Sequence, residues 1–218
     1  DAITTIGAGI TSTNDVTLIG DSIAVTGTVA AANGDVTATA TNDVSVGVTT
    51  ATLGSVDIDG AAITSVGAIT AQNDIEITGT GTITLGANAV NTTGAGGSNT
   101  ISISGTDMPD VGAIGSATTR DITIAMSNDA VTSDLDGAVT ASNSITLSDG
   151  KFDATGVTLT AESVLITGDT DFLAGSVVAE ALTITSTNDV TITAIGENVA
   201  GEGAVLSGAS ATGDIDVT

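Results

Sequence analysis

A short pattern recurs from one end of this chain to the other: a turn residue followed by an apolar–polar–apolar triplet. It reads NDVTLIG from Asn14, NDVSVG from Asn42 and NDIEITG from Asn73, then GTITLG from Gly81, NTISISG from Asn99 and RDITIAM from Arg120. Later copies are NSITLSDG from Asn143, TGVTLTA from Thr155, NDVTITA from Asn188 and GDIDVT from Gly213. Each sets two branched residues two positions apart, such as Val16 and Leu18, Ile75 and Ile77, or Val190 and Ile192. Alternation with period two describes a strand with one buried face. The copies return after about 20 residues from Val16 to Val36 and again to Val56, about 19 to Ile75, about 21 from Ile101 to Ile122, and about 18 from Val164 to Leu182. Periods of this length mark solenoids. Extra copies at Ile23 and Val44 predict two or three short strands per turn. The expected fold is all-β, a right-handed parallel β-helix (β-solenoid) with about 20 residues per turn, forming one domain over residues 1–218. At an inter-strand spacing of about 4.8 Å, roughly 11 turns give a rod roughly 50 Å long.

Composition agrees with a narrow, layered interior. Hydrophobic residues make up 41% of the chain but aromatics only 1%, so the core is Ala, Val, Ile and Leu. Irregular globular cores draw on large aromatic side chains; stacked identical layers do not need them. Phe152 and Phe172 are expected in core or corner packing. The competing architecture is an antiparallel sandwich or barrel, which would use Asn33-Gly34, Asp59-Gly60, Asp136-Gly137 and Asp149-Gly150 as hairpin turns. Those are a minority of the links. Most are Asn-Asp, Gly-Asp or Thr-Gly on a regular beat, which a coil pairing with its successor explains better.

Charge narrows the function. Two Lys and Arg stand against 26 Asp and Glu, a formal net charge of −24. Nucleic-acid affinity comes largely from Lys and Arg neutralising phosphates, so a nucleic-acid partner is excluded. The acidity attracts cations and matches surfaces adapted to salty water. Cys and His are both absent, which fits an exported protein. Polar residues break every apolar run short of the roughly 18 residues that would span a membrane. The chain opens on Asp1 without a basic region, as expected of a mature form or an excerpt.

The rhythm of Gly-Asp or Asn-Asp, apolar–Thr–apolar, then Thr-Gly resembles the repeat regions of filamentous haemagglutinin-like exoproteins and autotransporter-type bacterial adhesins. The resemblance runs over essentially the whole chain and rests on repeat style. It implies a right-handed β-helix, export from a bacterium, and a role as surface fibre or adhesin stalk, with a surface glycan or cell receptor as partner. The Asn-Pro-containing secretion domain and carboxy-terminal membrane anchor of such proteins are not seen in this sequence. First and last residues, DAITTIG and GDIDVT, read as strand, which predicts a segment of a longer repeat protein or subunits associating end to end into a filament.

Acid pairs are the feature that could carry chemistry. Asp57 and Asp59 flank Ile58, Asp74 and Glu76 flank Ile75, and Asp214 and Asp216 flank Ile215. Asp134 and Asp136 lie in SDLDG, Asp169 and Asp171 in GDTD, and Asp149 and Asp153 bracket Gly150 to Phe152. Hard cations bind clustered carboxylate oxygens, so Asp57, Asp59, Asp134, Asp136, Asp169 and Asp171 are candidate calcium ligands. The alternative is that these acids form solvated faces and Asx turns. No other cofactor is expected. Paired carboxylates also occur in polysaccharide-degrading enzymes, but here there is no His, and Lys151 and Arg120 are the only cations. That scarcity argues against an enzyme. A further alternative is an ice- or carbohydrate-binding module using outward Thr at 17, 84, 123, 146, 158 and 191.

Overall fold

Inward Val, Ile and Leu side chains of successive coils stand directly above one another. In the computed structural model, which describes residues 3–95, 98–128, 130–168, 171–186, 190–192, 195–196, 205–207 and 215–217, the strands form three sheets of 5, 13 and 10 strands. Every strand pair among the described residues is parallel, and none of these residues is helical. The chain is a β-solenoid of about nine turns. Asn33-Gly34 and Asp149-Gly150 turn corners between sheets, Asp136-Gly137 links two strands of the second sheet, and Asp59-Gly60 ends strand Val56–Gly60, so none of the four closes a hairpin.

The third sheet carries the spacing read from the sequence. Val16, Val36, Val56, Ile75, Ile101, Ile122, Ile145, Val164, Leu182 and Leu206 are successive register partners. A second inward column runs Leu18, Ala38, Ile58, Ile77, Ile103, Ile124, Leu147, Ile166, Ile184. Burying each aliphatic side chain stabilises by about 1.5–3 kcal/mol, and each contacts mainly its own and adjacent coils. On the second sheet one inward column is almost all alanine, with Ala31, Ala51, Ala71, Ala141, Ala161 and Ala179 buried. There the interior is narrow. Where that column carries Thr92 instead, its Oγ1 lies 2.7 Å from Thr119 Oγ1, and the buried hydroxyls satisfy each other. Phe152 and Phe172 are buried register partners, as expected of core stacking.

Coil length is not constant along the rod. From Ile75 to Ile101 the coil takes 26 residues and from Asp121 to Ser144 it takes 23. The cross-section also changes. The first sheet ends at strand Ile83–Thr84. Beyond it, Gly86, Val111 and Leu135 make isolated bridges, and strand Thr132–Asp134 joins the second sheet through Lys151–Thr160. That ten-residue strand bends at Gly156, whose φ of 78° suits glycine. A three-sided coil thus becomes one with a long bent sheet opposite the third sheet.

Corners between the first and second sheets are so tight that backbone rests on backbone. A Cβ built on Gly47 would overlap the Gly27 carbonyl oxygen, whereas one on Gly7 meets nothing within 4 Å. Gly47→Ala is therefore expected to destabilise the fold by about 2 kcal/mol, read as a lower urea midpoint, with Gly7→Ala neutral. Equal midpoints for the two variants would contradict the close-approach account.

Candidate functional site

Acidic side chains fall into three arrangements, and the coil geometry decides which. The first is a set of ties at the corner leading into the third sheet. Asp15 Oδ1 accepts the Asp35 N–H at 3.0 Å, and Asp35 Oδ1 accepts the Ser55 N–H at 2.8 Å. Asp74 Oδ1 accepts from the Thr100 N–H at 2.8 Å and from its hydroxyl at 3.0 Å. Asp121 Oδ1 accepts from Asn143 Nδ2 at 2.6 Å and Ser144 Oγ at 2.5 Å. Each bond reaches the next coil, so the Asp of these turns holds neighbouring coils together. Charge-assisted bonds of this kind are stronger than neutral ones. Asp74, half of a sequence-predicted pair with Glu76, is thus engaged in the scaffold.

The second arrangement lies on the outward face of the third sheet. Asp57 and Asp59 both point outward from strand Val56–Gly60, and Glu76 is the register partner of Asp57. Asp57 and Glu76, with Asp35, Asp74, Thr37 and Ser55, line an open groove of about 290 Å³. Burial, then the Asp59 and Glu76 carboxylates, push the Asp57 carboxyl above its ordinary 3.8.

The third arrangement is a seam where the cross-section changes. Asp134 and Asp153 are register partners on adjacent parallel strands. Asp136 follows Leu135, whose bridge partner Val111 follows Asp110. Burial, then a hydrogen bond with Asp136 and its charge, hold the Asp110 carboxyl above the ordinary range. Burial, then Asp136, Asp153 and Asp110, do the same to Asp134. Asp110 Oδ1 is buried without a hydrogen-bond partner. Asp153 Oδ1 accepts from the N–H and hydroxyl of Thr155 at 2.9 and 2.6 Å.

Of the six candidate calcium ligands, Asp57 and Asp59 thus share one face, and Asp134 and Asp136 share the seam. Asp169 lies outside the described residues, and of Asp171 only the backbone is described, in register with Lys151. Among the described residues no group of three or more His, Cys, Asp or Glu is arranged to hold a metal ion. Asp214 also lies outside the described residues, and of Asp216 only the backbone is described. The sequence reading left Asp110 out of the seam and did not link Asp153 to Asp134. Adding one coil length to Asp134 lands on Asp153, so the repeat period itself could have found that pair. Asp110 carries no such signal, because it sits in a segment without regular strand.

The six Thr considered as one array divide among three sheets. Thr17, Thr123 and Thr146 are on the third, Thr84 on the first, and Thr158 and Thr191 on the second. Arg120 Nε sits 3.6 Å from Asp121 Oδ2, and Lys151 is exposed. No helix among the described residues is long and apolar enough to cross a membrane. No protein-family model, curated protein or solved structure matches the chain.

Raised carboxyl values fix the sign of a pH dependence. Asp57, Asp110 and Asp134 bind their protons more tightly folded than unfolded, so protonation favours the fold. That contribution is full below the ordinary value of 3.8 and is lost as pH rises through the raised values. Tm is expected to rise between pH 7 and pH 3.8 at fixed ionic strength, and Asp134→Asn to flatten that slope. A Tm that falls over this interval would run against the assignment.

Proposed function

We propose that this chain is an extracellular structural fibre or adhesin stalk on a microbial surface, without catalytic activity or a resident cofactor. One observation carries the reading: an aliphatic core continues coil after coil, and the outward chemistry repeats rather than converging on a cavity. Buried positions from Val16 to Ile192 form one continuous cluster. The groove lined by Asp57 and Glu76 has neither the cations nor the aromatic platforms that binding an acidic polysaccharide calls for. Both Phe are buried, and there is no Trp or Tyr. The resemblance of the repeat to haemagglutinin-like exoproteins and autotransporter-type adhesins points to the same role and to a surface glycan or cell receptor as partner.

Stiffness follows from the construction. Backbone donors and acceptors bond along the rod axis, and bending the rod strains many of these bonds together. Axial ladders also make the rod end the surface on which a second copy pairs, which supports end-to-end association. A net charge of −24 disfavours side-by-side aggregation of such rods and keeps them away from nucleic acid.

Antibodies against the chain are expected to label intact cells of the source microbe, and labelling confined to permeabilised cells would defeat the surface reading. Trypsin has two target residues. Arg120 immediately precedes strand Asp121–Met126, and Lys151 begins strand Lys151–Thr160. Native protein is expected to survive intact where heat-unfolded protein gives three fragments. Negative-stain images are expected to show filaments longer than one chain can form, and isolated short rods at all concentrations would remove end-to-end association.

A second reading, an ice- or carbohydrate-binding module, has one specific support. On the third sheet, outward Ser102, Thr123 and Thr146 are consecutive register partners, and Thr167 Oγ1 accepts the Thr185 hydroxyl at 2.8 Å. Thermal hysteresis in dilute solution would favour this reading over a plain stalk.

A further inference from the structure

Parallel in-register stacking forces like side chains of successive coils to within one strand spacing, about 4.8 Å. For Thr this costs nothing, and for carboxylates it sets like charges face to face. The rod contains two such rungs among the described strand pairs. Asp57 stands against Glu76, with Asp59 beside them on the same face. Asp134 stands against Asp153, with Asp110 and Asp136 adjoining. Neither rung has a cation opposite. Arg120 is turned to Asp121, and Lys151, two positions from Asp153 on the same outward face, is in register with Thr132 and the Asp171 backbone and not with Asp134. By contrast, strands Val16–Gly20 and Val36–Ala40 meet through Thr17 with Thr37 and Ile19 with Thr39, which are uncharged.

We propose that these two carboxylate rungs make the cohesion of the rod depend on ionic strength at two defined places, so that salt tightens it there and dilution loosens it there first. The agent is the diffuse cloud of small cations, with no bound ion. The dependence is local because each coil is held only by its neighbours, so a repulsive rung weakens its own interface without being averaged over the whole chain. Screening acts within this range because the Debye length shrinks from about 30 Å at 0.01 M to about 3 Å at 1 M.

Amide hydrogen exchange followed by mass spectrometry tests this on the whole chain. Between 10 mM and 500 mM NaCl at pH 7, exchange in residues 56–79 and 132–160 is expected to slow by roughly twofold relative to residues 16–40, the part of one unit-charge repulsion in water that screening removes over this range. Choline chloride is expected to do the same. The double variants Asp57→Asn with Glu76→Gln, and Asp134→Asn with Asp153→Asn, are each expected to lose the salt response at their own rung and keep it at the other. The Asp153→Asn change leaves a side-chain carbonyl oxygen to accept from Thr155. A salt response uniform along the rod overturns the proposal using the unmodified protein alone, whether or not the variants fold. So does a response that millimolar calcium produces and choline cannot, because that would signify a bound ion.

Discussion

The structure depends on one repeated interface, a coil of backbone hydrogen-bonded in parallel register to the coil before it. Every inward column, every outward column and every corner follows from that registration. Because the partner of each residue is its counterpart one coil away, a side chain suited to one level is suited to the next. Val, Ile and Leu can therefore fill the interior without the aromatic residues that irregular cores use. Thr92 shows the cost of departing from the column. A polar side chain in a file of alanines survives because Thr119 supplies a hydroxyl at hydrogen-bonding distance.

The same registration divides the acids by location. At the corner before the third sheet, Asp15, Asp35, Asp74 and Asp121 reach donors of the following coil and contribute cohesion. On the sheet faces, Asp57 with Glu76 and Asp134 with Asp153 meet one another and oppose it. One residue type thus stabilises or strains the rod according to whether its neighbour along the axis is an N–H or a carboxylate. With 26 acids and 2 cations, charge compensation comes mainly from solvent.

Enzymes and binding modules gather dissimilar side chains around a point. A solenoid with in-register coils repeats similar side chains along a line, and departs from repetition only where coils lengthen. The longest described departures lie between Ile75 and Ile145, where the first sheet ends and Asp110 enters the seam. Arg120, the one cation in that region, is turned to Asp121.

Much of this was legible in the sequence. Val16, Val36, Val56 and Ile75 could be placed as partners because coil length is nearly constant there, and period-two alternation assigned Val16 and Leu18 to the interior. The outward pairing of Asp57 with Asp59 followed from the same alternation. The structure decided which copies of the motif share a face. The copies at Asn14 and Asn73 lead into the third sheet, while the nearly identical copy at Asn42 leads into the first. It also decided that Thr84 and Thr158 do not join Thr123, and that Asp110 meets Asp136. The physical reason is that alternation is a local property of a strand, whereas the face a strand occupies depends on how many residues the corners before it consume. Where coils run to 23 or 26 residues instead of 20, only the folded chain shows where the surplus goes.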